Sequence, residues 1–332
     1  MKVQILAKSG DGVRLVVEER PSPVPGPGEV RIRVRAASLN YRDLLFRQMP
    51  SMLGRIPVSD GAGEIAAVGP GANRWQVGDR VMAMFMPEWT SGPFLRRYGA
   101  YAFGNDKLDG MLAQEVIVPE TALVRVPSHL SFEEASTLPC AGVTAWHGLV
   151  ERGGLGPDHT VLAQGTGGVA IFGLQIAKAI GARCIITSSS DAKLDRARQL
   201  GADVGINYAE HADWHVKVLE ATNGLGASHI LELGGQDTYE KSIQALAGDG
   251  KIIQIGLLSG PGSPRLAGLV SVNGDIHAIM VGSGTHLEDL SGFMEQHLIH
   301  PVVDSTFPFE EAEAAHDHLR SGKHFGKVVI TL

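Results

Sequence analysis

Gly165, Gly167 and Gly168 stand in a stretch, Val161 to Lys193 (VLAQGTGGVAIFGLQIAKAIGARCIITSSSDAK), whose residue types can bind a phosphorylated ligand. A short apolar run leads into the glycines. A helical pattern follows, and then a second apolar run, Cys184–Thr187. The order is strand, tight turn, helix, strand. Glycines let the backbone pass close to a pyrophosphate, and a helix N-terminus offers free N–H groups and the positive end of its dipole. Thr166 and Val169 complete the turn, and Ala170 takes the third place of the fingerprint. The alternative is a glycine turn that closes an ordinary helix–strand unit.

An NAD-type site carries an acid at the end of the second strand, about 20 residues past the glycines, to accept from the ribose 2′-hydroxyl. Here Ser188 holds that place, followed by Ser189 and Ser190, with Lys193 one helical turn further. Hydroxyls do not repel a 2′-phosphate and a lysine attracts it, so the stretch reads as an NADP(H) site. Asp191, the first acid, suits the first turn of a helix capped by Ser190. Read blandly, the serines are a loop with a cap and Lys193 is a solvated lysine.

The elements that position these residues fall into three zones. Residues 1 to about 126 carry short alternating runs (VRIRVRAAS, EIAAVG, RVMAMF, AQEVIV) between Gly/Pro turns, which predicts a mainly β region. From about Ser128 to Gly282, helical patterns alternate with TVLAQ, CIITS, VGINY, HILEL, KIIQIG and DIHAIMV, which predicts a doubly wound parallel sheet. The tail predicts helices near Leu287–His297 and Phe309–Leu319 and a terminal strand, KVVITL. A length of 332 residues suits two domains. The net charge of −7, without a basic run, disfavours a nucleic-acid surface. Two cysteines, Cys140 and Cys184, form no disulfide framework and suit a reducing cytoplasm. The N-terminus reads directly as a strand with no leader segment, and no apolar stretch is long enough to span a membrane.

Six motifs carry a resemblance over nearly the whole chain: SLNYRDLL (Ser38–Leu45), SDGAGEIAAVGPG (Ser59–Gly71), VGDRV (Val77–Val81), LPCAGVTAWHGL (Leu138–Leu149), GTGGVA (Gly165–Ala170) and SGKHFGKVVI (Ser321–Ile330). The chain resembles the medium-chain dehydrogenase/reductases. That resemblance implies an α/β protein with a GroES-like, mainly β catalytic domain from residues 1–127 and 283–332. It also implies a Rossmann NADP-binding domain, a doubly wound parallel sheet, from residues 128–282, and a cleft between the two. Zinc-dependent alcohol dehydrogenases of this family carry a cysteine in the first motif and Gly-His-Glu in the second. Here Asn40 and Ser59-Asp60 stand there, and Phe85–Gly110 lacks the cysteines of the structural zinc lobe. Cys140 matches a third ligand of some zinc enzymes, but this is a poor zinc set. The chain is therefore similar to the zinc-free branch of quinone, enone and enoyl reductases, and no metal is expected.

The resemblance also implies roles. Asn40 lies near the nicotinamide and Thr144 lines the cofactor cleft. Lys193 and Tyr208 hold the 2′-phosphate. Gly256 and Leu257, with Gly282 and Ser283, flank the nicotinamide. Lys323 stands where quinone oxidoreductases use an arginine. Among other candidates, His211 and His215 fall at i, i+4 on an expected helix, where a solvated face is the plainer reading. His297, His300, His316 and His318 read as surface. Cys140 reads as a small buried residue or a reactive thiol, and Asp43 as a helix-end anchor or an acid. Trp89, Tyr101 and Phe103 either line a substrate mouth or pack under a long loop.

Hydride transfer to an isolated ketone builds charge on one oxygen, whereas a conjugated acceptor spreads it. Without a metal, α,β-unsaturated carbonyls or quinones are the expected small-molecule substrates. NADPH would give hydride to the β-carbon. The Asn40 amide would hold the carbonyl or the nicotinamide, and Tyr41 or water would protonate the α-carbon, unless Tyr41 only packs. The alternatives are a metal-free alcohol dehydrogenase or carbonyl reductase, and a non-enzymatic nucleotide-binding protein. The family's pairing through the last sheet strand, here the apolar DIHAIMV run, predicts a homodimer or higher oligomer.

Overall fold

The alternating runs of the N-terminal third become strands β1 (Lys2–Ser9), β2 (Gly12–Glu19), β3 (Glu29–Ser38), β4 (Asp60–Val68), β5 (Arg80–Ala83), β6 (Glu115–Pro119) and β7 (Leu123–Arg125). Short helices α1 (Tyr41–Phe46), α2 (Arg96–Gly99) and α3 (Phe132–Ala135) interrupt them. After a π-helical turn, Leu138–Gly142, and α4 (Val143–Trp146), strands and helices alternate. The order is β8 (Thr160–Ala163), α5 (Gly168–Ile180), β9 (Arg183–Ser188), α6 (Asp191–Gln199), β10 (Val204–Asn207), α7 (Trp214–Ala221), β11 (Ala227–Glu232), α8 (Tyr239–Ala245), β12 (Leu246–Gln254), α9 (Ala267–Val270) and β13 (Asp275–Ala278). The tail holds α10 (Gly284–His297), β14 (Val303–Pro308), α11 (Ala312–Arg320) and β15 (Lys327–Thr331). The computed structural model describes every residue except 11, 261–264 and 266.

Met1–Val143 with Val281–Leu332 form one compact unit, and Thr144–Met280 form a second. The sequence reading placed its edges at 127/128 and 282/283. Residues up to 143 belong with the first unit because α3 packs on β3 and β4, and the Leu138–Gly142 turn packs on β4.

In the first unit a seven-stranded sheet runs β14-β15-β3-β4-β5-β7, with β6 also on β3, and β1 and β2 form a separate hairpin. The C-terminal strand thus pairs with an N-terminal one. Val329 of β15 lies opposite Ser38 of β3, which lies opposite Asp60 of β4. This register sets the neighbourhoods of Lys327, Asn40 and Ser59 side by side. Val30, Ile32, Val34, Ile65, Val81, Phe103, Val328 and Ile330 fill the core beneath. Helix α11 buries Ala312, Ala315, His316 and Leu319, the i, i+3, i+4, i+7 stripe of an amphipathic helix. His316 is therefore not a surface residue: its ring sits in that stripe and Nδ1 lies 2.8 Å from the Ala312 carbonyl.

In the second unit six parallel strands run β10-β9-β8-β11-β12-β13. Strands β8, β9 and β11 are buried almost throughout, as parallel strands covered on both faces must be. The strand order reverses between β8 and β11, the point outside whose C-terminal ends ligands bind in such sheets. Helix α5 ends at Gly181, which adopts the left-handed φ of 92° that a glycine accommodates without strain. His211 does not share a helix with His215. The Asn207 side chain accepts from Ala209 N at 3.0 Å and turns the chain at the end of β10, so α7 begins only at Trp214. No helix among the described residues is long and apolar enough to cross a membrane.

Candidate active site

A buried polar cluster collects where β15, β3 and β4 meet in the first unit. Lys327 opens β15 and is 4% exposed. Its Nζ donates to the Leu39 carbonyl at 2.5 Å and to Asn40 Oδ1 at 2.6 Å. Asn40 precedes α1, and its backbone N–H donates to Asp43 Oδ2 at 2.7 Å, so Asp43 is a helix-end anchor. Asn40 Nδ2 lies 3.5 Å from Ser59 Oγ, and Ser59 donates to Asp60 Oδ1 at 2.7 Å. Asp43 Oδ1 and Asp60 Oδ2 are buried without a hydrogen-bond partner. The Arg42 guanidinium stacks over Phe46 (4.3 Å) and Phe85 (4.6 Å) and donates to the Phe103 carbonyl.

Ser59 is aimed by a strained residue. Val58 is fully buried and sits at φ 72°, a region a β-branched side chain rarely enters. Such a conformation costs about 1–3 kcal/mol and persists only when its surroundings impose it. Met111 N donates to Val58 O at 2.7 Å. Gly104 and Gly110 crowd the same peptide: a Cβ at Gly110 would lie 2.2 Å from Val58 O, and one at Gly104 2.8 Å from Val58 C.

Burial raises the Asp43 carboxyl to about 6, with Arg42 opposing and Asp60 reinforcing the shift. Burial also raises Asp60, against the pull of Lys327. Burial, reinforced by Asp60, pushes the Cys140 thiol far above its ordinary range, so Cys140 is a neutral thiol. Zinc needs deprotonated cysteine or histidine ligands. Here Cys140 is accompanied by an amide whose oxygen accepts from Lys327 and a hydroxyl that donates to Asp60, with no histidine or second cysteine among them. The residues present do not fit zinc. Among the described residues, no three His, Cys, Asp or Glu side chains stand together in a way that could hold a metal.

Tyr41, at the head of α1, is exposed. Gly282 and Ser283 are buried in the first unit, and Ser283 Oγ caps α10 by accepting from His286 N at 3.2 Å. Lys323 is exposed in the turn between α11 and β15. Trp89 and Phe103 are packing residues, 2% and 1% exposed. Trp89 contacts the rings of Phe94, Tyr98 and His286. Tyr101 is exposed, with the Lys107 amine 5.3 Å from its ring centre.

The second unit holds the glycine turn. Gly165 sits at φ 76°, and a Cβ on Gly165 or Gly167 would meet nothing within 4 Å. That open space lies beside the first turn of α5, which begins at Gly168 and continues through Val169. The residues fit a pyrophosphate, whose oxygens such N–H groups and bare backbone can approach. The close helix–sheet approach comes at Gly173 rather than Ala170: a Cβ there would lie 2.3 Å from Leu231 Cδ1. Gln164 clamps the turn. Its Nε2 donates to Glu232 Oε2 (2.9 Å) and Ser242 Oγ (2.7 Å), and its Oε1 accepts from Leu233 N and Gly234 N. Thr166 is buried within the turn, and Thr144 is buried in α4.

Ser188 closes β9 and Ser189 follows it, Tyr208 follows β10, and Lys193 stands in the first turn of α6. Ser188 is buried and its Oγ accepts from Ser190 N, while Ser189 and Tyr208 are exposed. Tyr208 N donates to Ser188 O at 3.0 Å. Ser190 takes the N-cap position of α6, but its hydroxyl makes no cap bond, and Asp191 Oδ1 accepts from Asn207 Nδ2 at 3.0 Å. Gly256 follows β12 so closely on the loop after β11 that a Cβ would lie 2.2 Å from Leu233 O, and Leu257 beside it is exposed.

Sequence reasoning missed Lys327, Gln164 and Glu232. The signal for Lys327 was a lysine heading the apolar run KVVI, which demands a buried counter-charge. Gln164 and Glu232 gave none, because only the fold brings them together.

Residues 26–128 match the family model for an alcohol dehydrogenase GroES-like domain, and residues 200–330 that for a zinc-binding dehydrogenase. A zinc-type alcohol dehydrogenase-like protein of Schizosaccharomyces pombe is 41% identical over 90% of this chain and 89% of its own length. An acryloyl-coenzyme A reductase of Metallosphaera sedula is 33% identical over 89% of this chain and 90% of its own. The solved structure of an NAD-dependent alcohol dehydrogenase superposes with a TM-score of 0.88 at 33% identity, covering 100% of both chains.

Proposed function

We propose that this chain, which belongs to the medium-chain dehydrogenase/reductase superfamily, is a zinc-independent, NADPH-dependent reductase of α,β-unsaturated carbonyls or quinones. It is an oxidoreductase of that superfamily, and the family implies a nicotinamide nucleotide cofactor. The observation that carries the finer reading is the Asn40–Ser59–Asp60–Lys327 cluster, a set of hydrogen-bonding groups standing where metal ligands would otherwise be.

A nicotinamide bound by this chain would supply hydride for the β-carbon. Asn40 Nδ2 donates to the carbonyl oxygen as negative charge builds there. A conjugated acceptor spreads that charge, so hydrogen bonds suffice without a Lewis acid. Tyr41 or water returns a proton to the α-carbon. The Gly165–Val169 turn receives the pyrophosphate. Within the second unit, Ser188, Ser189, Lys193 and Tyr208 would receive the 2′-phosphate. Thr144, Gly256 and Leu257 of the same unit would hold the nicotinamide. The Metallosphaera relative, named for a conjugated thioester, supports the substrate class.

A panel of enones, quinones, enoyl thioesters and aldehydes with NADPH and NADH tests this reading. Deuteride from labelled cofactor is expected on the β-carbon of an enone, with the α-proton from solvent. Fast alcohol oxidation with no enone or quinone turnover would overturn it. The second reading is an NAD-linked, metal-free alcohol dehydrogenase. The Asp191 carboxylate at the head of α6 and the NAD-dependent structural neighbour favour it. We also place a second copy of the chain on the free edge of β13, near the exposed Met280, giving a homodimer or higher oligomer in the cytoplasm. A monomer by light scattering at micromolar concentration would contradict this.

A further inference from the structure

We infer that Lys327 is a positioning residue that locks the Asn40 amide so that its nitrogen edge can only donate, which restricts the site to substrates presenting an acceptor oxygen. The inference rests on the reductase reading and deepens it.

An ammonium can only donate, and an ionised carboxylate can only accept. The cluster is a chain of dipoles strung from the Lys327 amine to the Asp60 carboxyl. Lys327 Nζ, 2.6 Å from one atom of the Asn40 carboxamide, fixes that atom as the oxygen. The other atom must then be the nitrogen, and the acceptors near it are Ser59 Oγ at 3.5 Å and the Asp60 carboxyl. Ser59 has no choice either, because its own proton goes to Asp60 Oδ1 at 2.7 Å. Every polar group in the line points one way, from lysine to aspartate. At 3.5 Å the bond to Ser59 is long, and a carboxamide nitrogen carries a second N–H besides.

Without Lys327 the amide could turn over and present its oxygen, which would repel a carbonyl. A lysine is a costly way to hold one side chain, since it must be buried with its counter-charge. The fold accepts this at a strand end where Leu39 O, Asn40 and Asp60 converge. Asp60 acts as the electrostatic partner that keeps the lysine in place, while its second oxygen remains unpartnered. Val58 supports the far end by aiming Ser59, and Asp43 fixes the backbone of Asn40.

The test is a double-mutant cycle of Lys327→Met and Asn40→Ala, measured on the best conjugated substrate found. Lys327→Met should lower kcat by about 10²-fold, the loss typical of one misdirected donor at a developing oxyanion, while KM for cofactor stays within about threefold. Added to Asn40→Ala, it should cost less than about threefold more, because the group it positions is already gone. If Lys327→Met does not fold, Lys327→Met/Asp60→Asn removes both charges and is compared with Asp60→Asn alone. A second readout needs no turnover: the side-chain amide resonances of Asn40 in asparagine-labelled protein should shift when Lys327 is replaced. Additive losses in the cycle with an unmoved Asn40 amide signal would overturn the inference. A wild type inactive on every conjugated acceptor, but with an Asn40 signal that moves, would remove the reductase reading and leave the amide lock standing.

Discussion

The two units each bury a polar network at strand ends, and the networks are finished to different degrees. In the second unit the Glu232 carboxylate is saturated. One oxygen accepts from Gly234 N, Gly235 N and Thr238 Oγ1, and the other from Gln164 Nε2 and Ser242 Oγ. In the first unit Asp43 and Asp60 each leave one buried oxygen with no partner, and both carboxyls are raised by burial. A satisfied buried network fixes geometry, whereas a half-satisfied one is unstable by itself and persists at functional sites. By that measure Glu232 and Gln164 are scaffold for the glycine turn, and Asn40, Ser59 and Lys327 are the proposed machinery.

The sharpest way to break the comparison is Glu232→Leu. It strands several buried donors at once and should cost about 3–5 kcal/mol, read as a lowered denaturation midpoint with an unchanged m-value. A near-neutral result would mean that this network is not scaffold. Next in size is Asn40→Ala, which should leave stability nearly intact while lowering kcat on an enone by about 10²–10³-fold. A loss of stability with normal kcat in the folded fraction would reverse the two roles.

Asp43→Asn gives a smaller and pH-dependent effect. The folded carboxyl is raised from 3.8 to about 6, so the fold favours its protonated form. The stability this contributes is complete below pH 3.8 and is lost as pH rises through about 6. Asparagine stays neutral throughout. The variant should therefore gain about 2–3 kcal/mol relative to wild type between about pH 4 and pH 7.5. Parallel stability–pH curves would show that Asp43 is as well satisfied as Glu232. The smallest expected effect is Lys193→Ala, which should reduce kcat/KM with NADPH by about tenfold or more and leave NADH nearly unchanged. Equal losses with both cofactors would make Lys193 a helix residue only.

Much of the fold was legible because its signals are local. The alternating β runs and the glycine turn depend on near neighbours, and each apolar run of the central zone became one of the six parallel strands. Misreadings came where tertiary packing decided. His316 looked like surface in a polar stretch, yet the amphipathic stripe of α11 turns it inward. His211 and His215 have ligand spacing, but the Asn207 turn keeps them off one helix. Ala170 holds the third place of the glycine fingerprint, and the close helix–sheet contact falls at Gly173.

The chain's residue types by themselves determined that a strand, a glycine turn and a helix follow one another, because short-range spacing is enough for that, and the family resemblance put Asn40, Ser59 and Asp60 where zinc-dependent members carry ligands. Only the tertiary structure decided what those three residues are. Lys327 is remote from Asn40 and Asp60 in the chain, and the pairing of β15 with β3 and of β3 with β4 brings them together. No periodicity encodes that contact, because it depends on strand register across both ends of the chain. Register is also what makes the lysine a donor to Asn40 rather than a solvated charge.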